Sequence, residues 1–266
     1  MAPPRRIAVS SPHMATQGFA ELLPRVAAHF SVWELWAEGR HSLEGLEPAI
    51  RELLPSYDVA LTVHAPVSDI NIGSFRDDMR DLSVRAIERT ILAAGRLGLD
   101  RVTVHPGVRM PLSRFDDGRI RARTLEAVDV FARVAADVGV TVCLENMARN
   151  FVFTFQEPEW ADGVFGRDEH VAFCLDLGHA WTHGQGVFDR FVSKLGPSAA
   201  NVHVSDNTGE LDSHWMLGKG SVPLHRAVAR LERAGYRGNY VIEAANLDEG
   251  IASLPAMAAA LDAAGA

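Results

Sequence analysis

Apolar and polar positions along the chain fall into a repeating order: a short β-rich run, a loop, then a helical stretch. Eight runs read as strands: "RIAVSS", "SVWELW", "VALTVHA", "RVTVHPG", "VTVCLEN", "VAFCLDLG", "ANVHVSD" and "YVIEAAN". Each is rich in β-branched or aromatic residues and is bounded by turn formers. Between them the apolar positions recur at helical spacing. In "MRDLSVRAIERTILAAGRLGL" the residues Leu82, Ala86, Ile87, Thr90, Ile91 and Ala94 are expected on one buried face, with the helix stopping at Gly98. "TLEAVDVFARVAADVG" and "PLHRAVARLERAG" read the same way, ending at Gly139 and Gly235. Eight strands alternating with helices predict an all-parallel sheet, and eight is the number that closes a (β/α)8 TIM barrel. A doubly wound open sheet is the alternative. It is disfavoured because no glycine-rich dinucleotide fingerprint follows the first strand.

Composition narrows this only modestly. The chain has 266 residues, 47% of them hydrophobic, which fits one TIM-barrel domain over residues 1–266. A net charge of −8 argues against a protein whose main task is gripping phosphate backbones, since that needs clustered Lys and Arg. Cys143 and Cys174 lie in apolar runs and are expected to be buried, reduced thiols, which fits a cytoplasmic setting. No secretory signal is legible in "MAPPRRIAVSS", and no apolar stretch is long enough to cross a membrane. Oligomeric state is not readable.

The chemistry gathers where strands end. The third to eighth strands finish in turn with His64, His105, Glu145, Asp176, His203 and Glu243, with His179 three residues beyond Asp176. In a barrel these ends surround one mouth, where active sites lie. Any one of them has a plainer role: a strand-end His can be a hydrogen-bonded core residue, and an Asp can cap the next helix, as Asp176 and His179 in "DLGHA" could. Six successive strands doing so is a pattern of another kind. Facing carboxylates repel, and buried imidazoles need partners; divalent cations answer both needs. Mixed nitrogen and oxygen donors favour zinc, manganese or iron over calcium or magnesium. The loop "DSHWMLGKGSVPL" follows the seventh strand and brings Asp212 and His214 to the same mouth. Glu34 in "WELW" is a further candidate lining residue, whereas His13, His29, His41, His170, His183 and His225 lack this context.

Taken together, "NIGS", "HPG", "LEN", "CLDLGHA" and "DSHWMLGKGSVPL" resemble the signatures of the endonuclease IV family, the family-2 AP endonucleases of the xylose-isomerase-like TIM barrels, over residues of about 60 to 245. The resemblance implies three divalent ions, zinc first, with manganese or iron as alternatives. His64, His105 and Glu145 would hold one. Glu145, Asp176, His203 and Glu243 would hold a second, and His179, Asp212 and His214 a third. It also implies catalytic roles for Glu145, Glu243 and His179 in metal-dependent phosphodiester hydrolysis, with activity falling in mild acid because ligand histidines must be neutral. Arg109, Arg149 and Lys219 are candidates for holding the substrate phosphate.

The chain departs from the DNA-repair members where they handle DNA. "HAPVSD" has Val67 where those enzymes carry an aromatic wedge, "VRMPLSR" replaces a "GSH"-like stretch, and "LGKG" replaces "LGEG". A small phosphoester is therefore expected rather than nucleic acid. "VHAPVSDINI" is more similar to the cobamide-remodelling phosphodiesterases. Two rival readings stand beside this one. A sugar or sugar-phosphate isomerase or epimerase would use one metal on Glu145, Asp176, His203 and Glu243, with two glutamates trading protons. A non-catalytic binding barrel would be expected to have lost ligands, and none is missing.

Overall fold

The computed structural model describes residues 7–265. The expected first strand began at Arg6, which lies outside the described residues, as do residues 1–5 of the N-terminal segment read for a signal. Eight parallel strands form a closed barrel in sequence order: β1 (Ile7–Ser10), β2 (Val32–Trp36), β3 (Ala60–His64), β4 (Arg101–Val104), β5 (Thr141–Glu145), β6 (Val171–Asp176), β7 (Ala199–Val204) and β8 (Asn239–Glu243). Closure is made by β8 pairing with β1, from Ile7 opposite Tyr240 to Ser10 opposite Glu243. The open doubly wound sheet is thereby excluded.

The outer layer is α1 (Phe19–Ala27), α2 (Leu43–Leu53), α3 (Asp77–Arg96), α4 (Asp117–Val138), the short α5 (Leu177–Trp181) and α6 (Gln185–Arg190), α7 (Leu224–Arg233) and α8 (Leu247–Ala264). α4 buries Ile120, Thr124, Ala127, Val128, Phe131 and Ala135, a stripe at three- and four-residue spacing. It begins seven residues before the stretch "TLEAVDVFARVAADVG". Its first two turns are charged and carry Gly118, so they show no apolar period. The start is instead fixed by Asp116, whose side chain accepts from the Arg119 N–H at 3.0 Å. α3 corrects the expected buried face. Ser83, Ile87, Thr90, Ile91 and Ala94 are buried, but Leu82 is 56% exposed. Ser83 takes the inward position one residue on, because its hydroxyl is satisfied by the Met79 carbonyl and accepts from the Asn71 N–H. No helix among the described residues is long and apolar enough to cross a membrane.

The loops after β3 and β4, which carry "NIGS" and "HPG", interlock. A Cβ on Gly107 would lie 2.6 Å from the Gly73 Cα and 2.6 Å from Thr124 Oγ1, so only glycine lets these backbones touch. The contact braces the loop that follows His105.

His41 lies in the core beside β2, its ring edge-on to Trp33 and Phe19. Burial pushes its pKa down to about 4. The unfolded chain, with an ordinary histidine near 6.5, then binds the proton first. Stability from a neutral His41 is complete above pH 6.5 and is lost progressively as pH falls toward 4. The His41→Phe protein should therefore gain on the parent in urea midpoint as pH is lowered from 7 to 4.5. A pH-independent gap between the two proteins would overturn this.

Candidate metal centre

The mouth of the barrel is built in two layers. The lower one is a polar floor inside the barrel. Glu34 on β2 is fully buried and accepts from Asn201 Nδ2 at 2.7 Å and Thr62 Oγ1 at 3.3 Å. Its other oxygen lies 2.8 Å from His203 Nε2. That bond orients the imidazole so that Nδ1 faces upward, 3.1 Å from Glu145 Oε1 and 3.3 Å from Glu243 Oε2. A carboxylate behind a histidine in this way sets which ring nitrogen is left as an acceptor.

The upper layer holds the predicted strand-end residues, and one rule orients three of its histidines, His64, His179 and His214. One ring nitrogen lies against a main-chain carbonyl and the other points at carboxylates. His64 Nδ1 meets the Ala65 carbonyl at 2.8 Å while Nε2 lies 3.5 Å from Glu145 Oε2. His179 Nδ1 meets the Asn146 carbonyl at 2.8 Å while Nε2 lies 3.1 Å from Asp212 Oδ2. His214 Nδ1 meets the Glu243 carbonyl at 3.3 Å while Nε2 lies 2.9 Å from the same Asp212 oxygen. His105, one residue past β4, sets Nε2 3.1 Å from Glu145 Oε2. His214 holds a left-handed backbone with φ of 44°, a conformation that costs a non-glycine residue on the order of 1 kcal/mol and turns its ring toward Asp212.

The donor atoms collect into groups whose members all lie within 4.8 Å of one another: His64, His105 and Glu145; Glu145, Asp176, His203 and Glu243; and His179, Asp212 and His214. Glu145 belongs to the first two, presenting Oε2 to His64 and His105 and Oε1 to His203. Cys174 also stands with Glu145 and His203, but burial holds its thiol well above its ordinary pKa, and Cys143 is pushed up to about 12. Both are buried and free. The donor set suits a borderline cation such as zinc. Four atoms facing this space, His64 Nε2, Glu145 Oε2, Asp176 Oδ2 and Asp212 Oδ1, are buried without a hydrogen-bond partner. Each such atom costs about 1–3 kcal/mol, and a cation would satisfy all four.

Asp176 does two jobs with its two oxygens. Oδ1 caps α5 by accepting from the His179 N–H at 2.6 Å, and Oδ2 faces the cluster. The capping role and the cluster role are therefore compatible.

Burial opposes charge throughout, yet the groups compensate one another. Burial pushes Asp176 up to about 7, with Glu145, Glu243 and Asp212 adding to the rise and His179 opposing it. Glu145 stays well below the usual carboxylate range because His203, His105 and His64 outweigh its desolvation. His214 rises to about 9 against its burial through Asp212 and Glu243. Protons on the imidazoles thus balance the carboxylates where cations could do so, and the two compete.

The sequence reading passed over two supports. Asn146, in "LEN", clamps β5 to β6 by exchanging bonds of 2.9 Å with the Asp176 main chain. Asp206, in "NVHVSD", is buried and organises the loop after β7. Its oxygens accept from the N–H groups of Gly218, Gly220, Val222 and Asn207 at 2.9–3.0 Å. Asp206 also exchanges both main-chain bonds with Trp215 at 3.0 Å, next to His214. Hydrogen bonds to a charged acceptor are worth about 1.5–3 kcal/mol each. In Asp206→Ala, amide exchange over residues 212–222 should accelerate by at least about tenfold, the factor for 1.4 kcal/mol. Unchanged exchange there would show that other contacts hold the loop.

The three proposed phosphate-holding cations are differently placed. Arg109 is bound to Asp117 at 2.7 Å and donates to the Phe153 carbonyl. Arg149 is exposed in the loop after β5. Lys219 is exposed, with Nζ 5.0 Å from the centre of the Trp215 ring. Among the described residues none of them pairs with a cluster carboxylate.

Comparison with known proteins fits this architecture. An uncharacterised protein of Methanocaldococcus jannaschii is 30% identical over 93% of this chain and 86% of its own length. A probable endonuclease 4 of Mycobacterium leprae is 31% identical over 69% of this chain and 73% of its own. The crystal structure of a D-tagatose 3-epimerase-like protein superposes with a TM-score of 0.89 at 28% identity, covering 98% of both chains. The family model for xylose isomerase-like TIM barrels, AP endonuclease family 2, matches residues 25–263, and the chain belongs to that family.

Proposed function

We propose that this protein is a metal-dependent phosphoesterase acting on a small phosphodiester, with up to three divalent ions at the barrel mouth. One observation carries the reading: the donor atoms fall into three groups, not one. An isomerase of this fold needs only Glu145, Asp176, His203 and Glu243. His64, His105, His179, Asp212 and His214 would be surplus to it. Bound divalent ions would supply a nucleophile at neutral pH and neutralise charge on a phosphoryl group in an in-line displacement. The chain's own part is to hold that geometry rigid. Main-chain carbonyls and Glu34 fix the tautomers of His64, His179, His214 and His203, so each of these rings offers a neutral nitrogen to the centre. Glu145 ties the first two groups together through its two oxygens. Glu145, Glu243 and His179 form the reacting face, with Arg149 and Lys219 near enough in the chain to the lining loops to be tested as phosphate ligands. Arg109, already tied to Asp117, is the weakest of the three candidates.

A second reading has its own support. The group Glu145, Asp176, His203 and Glu243 is complete in itself, and the similarity to the D-tagatose 3-epimerase-like protein spans both chains. In that case the two glutamates would take and return a proton on a sugar carbon.

The deciding experiment measures metal per chain and, on the same preparation, hydrolysis of bis-p-nitrophenyl phosphate and epimerisation of ketohexoses. Two or three ions with phosphodiester turnover are expected. One ion with ketohexose epimerisation and no ester hydrolysis would overturn the phosphoesterase reading.

A further inference from the structure

A cavity of about 770 Å3 opens beside the metal centre, between the loops that follow β3 and β4. It lies within the range of pockets that hold small-molecule ligands. His105 forms part of its wall, so the cavity and the first histidine–carboxylate group share a residue. Most of the rest is apolar, with Val67, Ile72, Phe75, Met79 and Met110 among the lining side chains.

The amide and hydroxyl groups of Asn71, Ser83 and Ser113 in the wall already have partners. Asn71 donates Nδ2 to the Val108 carbonyl and accepts the N–H groups of Gly73 and Val108 on Oδ1. Ser83 bonds the Met79 carbonyl and the Asn71 N–H, and Ser113 accepts from the Met110 N–H. The charged members, Asp69 and Arg76, are exposed, and Arg76 is paired with Asp78. A polar ligand entering here would lose its water and find few partners, whereas an apolar one gains from burial.

We propose that the substrate is amphipathic, with its reacting group at the metal centre and an uncharged apolar group seated in this cavity. The proposal rests on the histidine–carboxylate cluster being the reacting centre. It also gives a physical meaning to two of the three places where the chain departs from the DNA-handling members: Val67, and Val108 and Met110–Ser113 of "VRMPLSR", line an apolar compartment. Met79 and Met110 are 41% and 52% exposed, so they can carry a charge without disturbing the core. Flexible, polarizable methionines suit a wall that adapts to its ligand.

The test uses two probes. The neutral dye prodan reports the cavity independently of any chemistry at the metals. It should bind the metal-loaded protein with blue-shifted emission, and the Met79→Glu/Met110→Glu protein should bind it at least tenfold more weakly. In the second arm, n-alkyl phosphonates from methyl to octyl are titrated directly into the metal-loaded parent and variant proteins by isothermal titration calorimetry. Affinity should rise by about fourfold per methylene over the first few carbons, the factor for 0.8 kcal/mol of burial, and the double variant should lose this gradient while keeping its affinity for methylphosphonate. Prodan binding that is absent, or unchanged in the variant, overturns the proposal. So does equal affinity for methyl- and octylphosphonate. Prodan binding lost in the variant, with no phosphonate binding at all, leaves the apolar cavity standing and counts against the phosphoesterase reading alone.

Discussion

Glu145→Gln should cost on the order of a thousandfold in kcat for phosphodiester hydrolysis. Glu145 is fully buried at the end of β5 and meets two donor groups with two different oxygens. Glutamine keeps the shape but removes the charge and turns one acceptor into a donor. Whichever way the amide faces, either the His64–His105 side or the His203 side meets an N–H where it had a carboxylate oxygen. Lewis-acid activation contributes several kcal/mol to such reactions, and about 4 kcal/mol corresponds to that thousandfold. Bound metal should fall at the same time, leaving at most the ion held by His179, Asp212 and His214. Glu34→Gln is the informative companion. Glu34 sits behind His203 without joining a donor group, so its replacement should weaken metal binding by only about 10–100-fold. Near-normal kcat in Glu145→Gln would remove the phosphoesterase reading, and equal losses in both variants would mean that the floor and the centre were wrongly distinguished.

The difference between those two glutamates shows what a sequence can convey. Glu145 was legible because it ends a strand in a run of six strands that end alike, and alternation within a strand fixes which residues reach the mouth. The barrel was legible for the same reason, since strand and helix periods repeat along the chain. Glu34 in mid-strand on β2 was legible only as a candidate lining residue, and its place under His203 on β7 follows from the closed barrel. Asp206 was harder still. Nothing in "NVHVSD" distinguishes a turn aspartate from one whose partners lie 12 to 16 residues ahead. Leu82 misled because its hydrophobicity put it on the helix face, whereas Ser83 takes the inward position by bonding its hydroxyl to the Met79 carbonyl one turn back, as the expected Thr90 does with Ala86. The apolar cavity had no signal of its own, because it is made where two loops distant in sequence face each other.

If divalent ions fill the buried cluster as proposed, removing them should destabilise the fold. Glu145, Asp176 and Glu243 are buried together with His64 and His203, and four facing atoms make no hydrogen bond. Without cations the cluster must balance its carboxylates with protons on the imidazoles, a compromise that leaves Asp176 with a pKa of about 7. A ligand that binds only the folded state at a thousand times its dissociation constant adds about 4 kcal/mol. In a barrel of this size each kcal/mol moves the melting temperature by about 2–4 °C. Dialysis against a chelator should thus lower Tm by about 8–16 °C for one such site and further for more. Zinc titrated back should restore it in steps that track the number of ions bound. The Asp212→Asn/His214→Ala protein separates the sites, because it should lose the part of the gain that belongs to the third ion and keep the rest. A chelated protein that melts with the untreated one would show that the buried cluster is stable on protons alone and that its orphaned atoms need no metal.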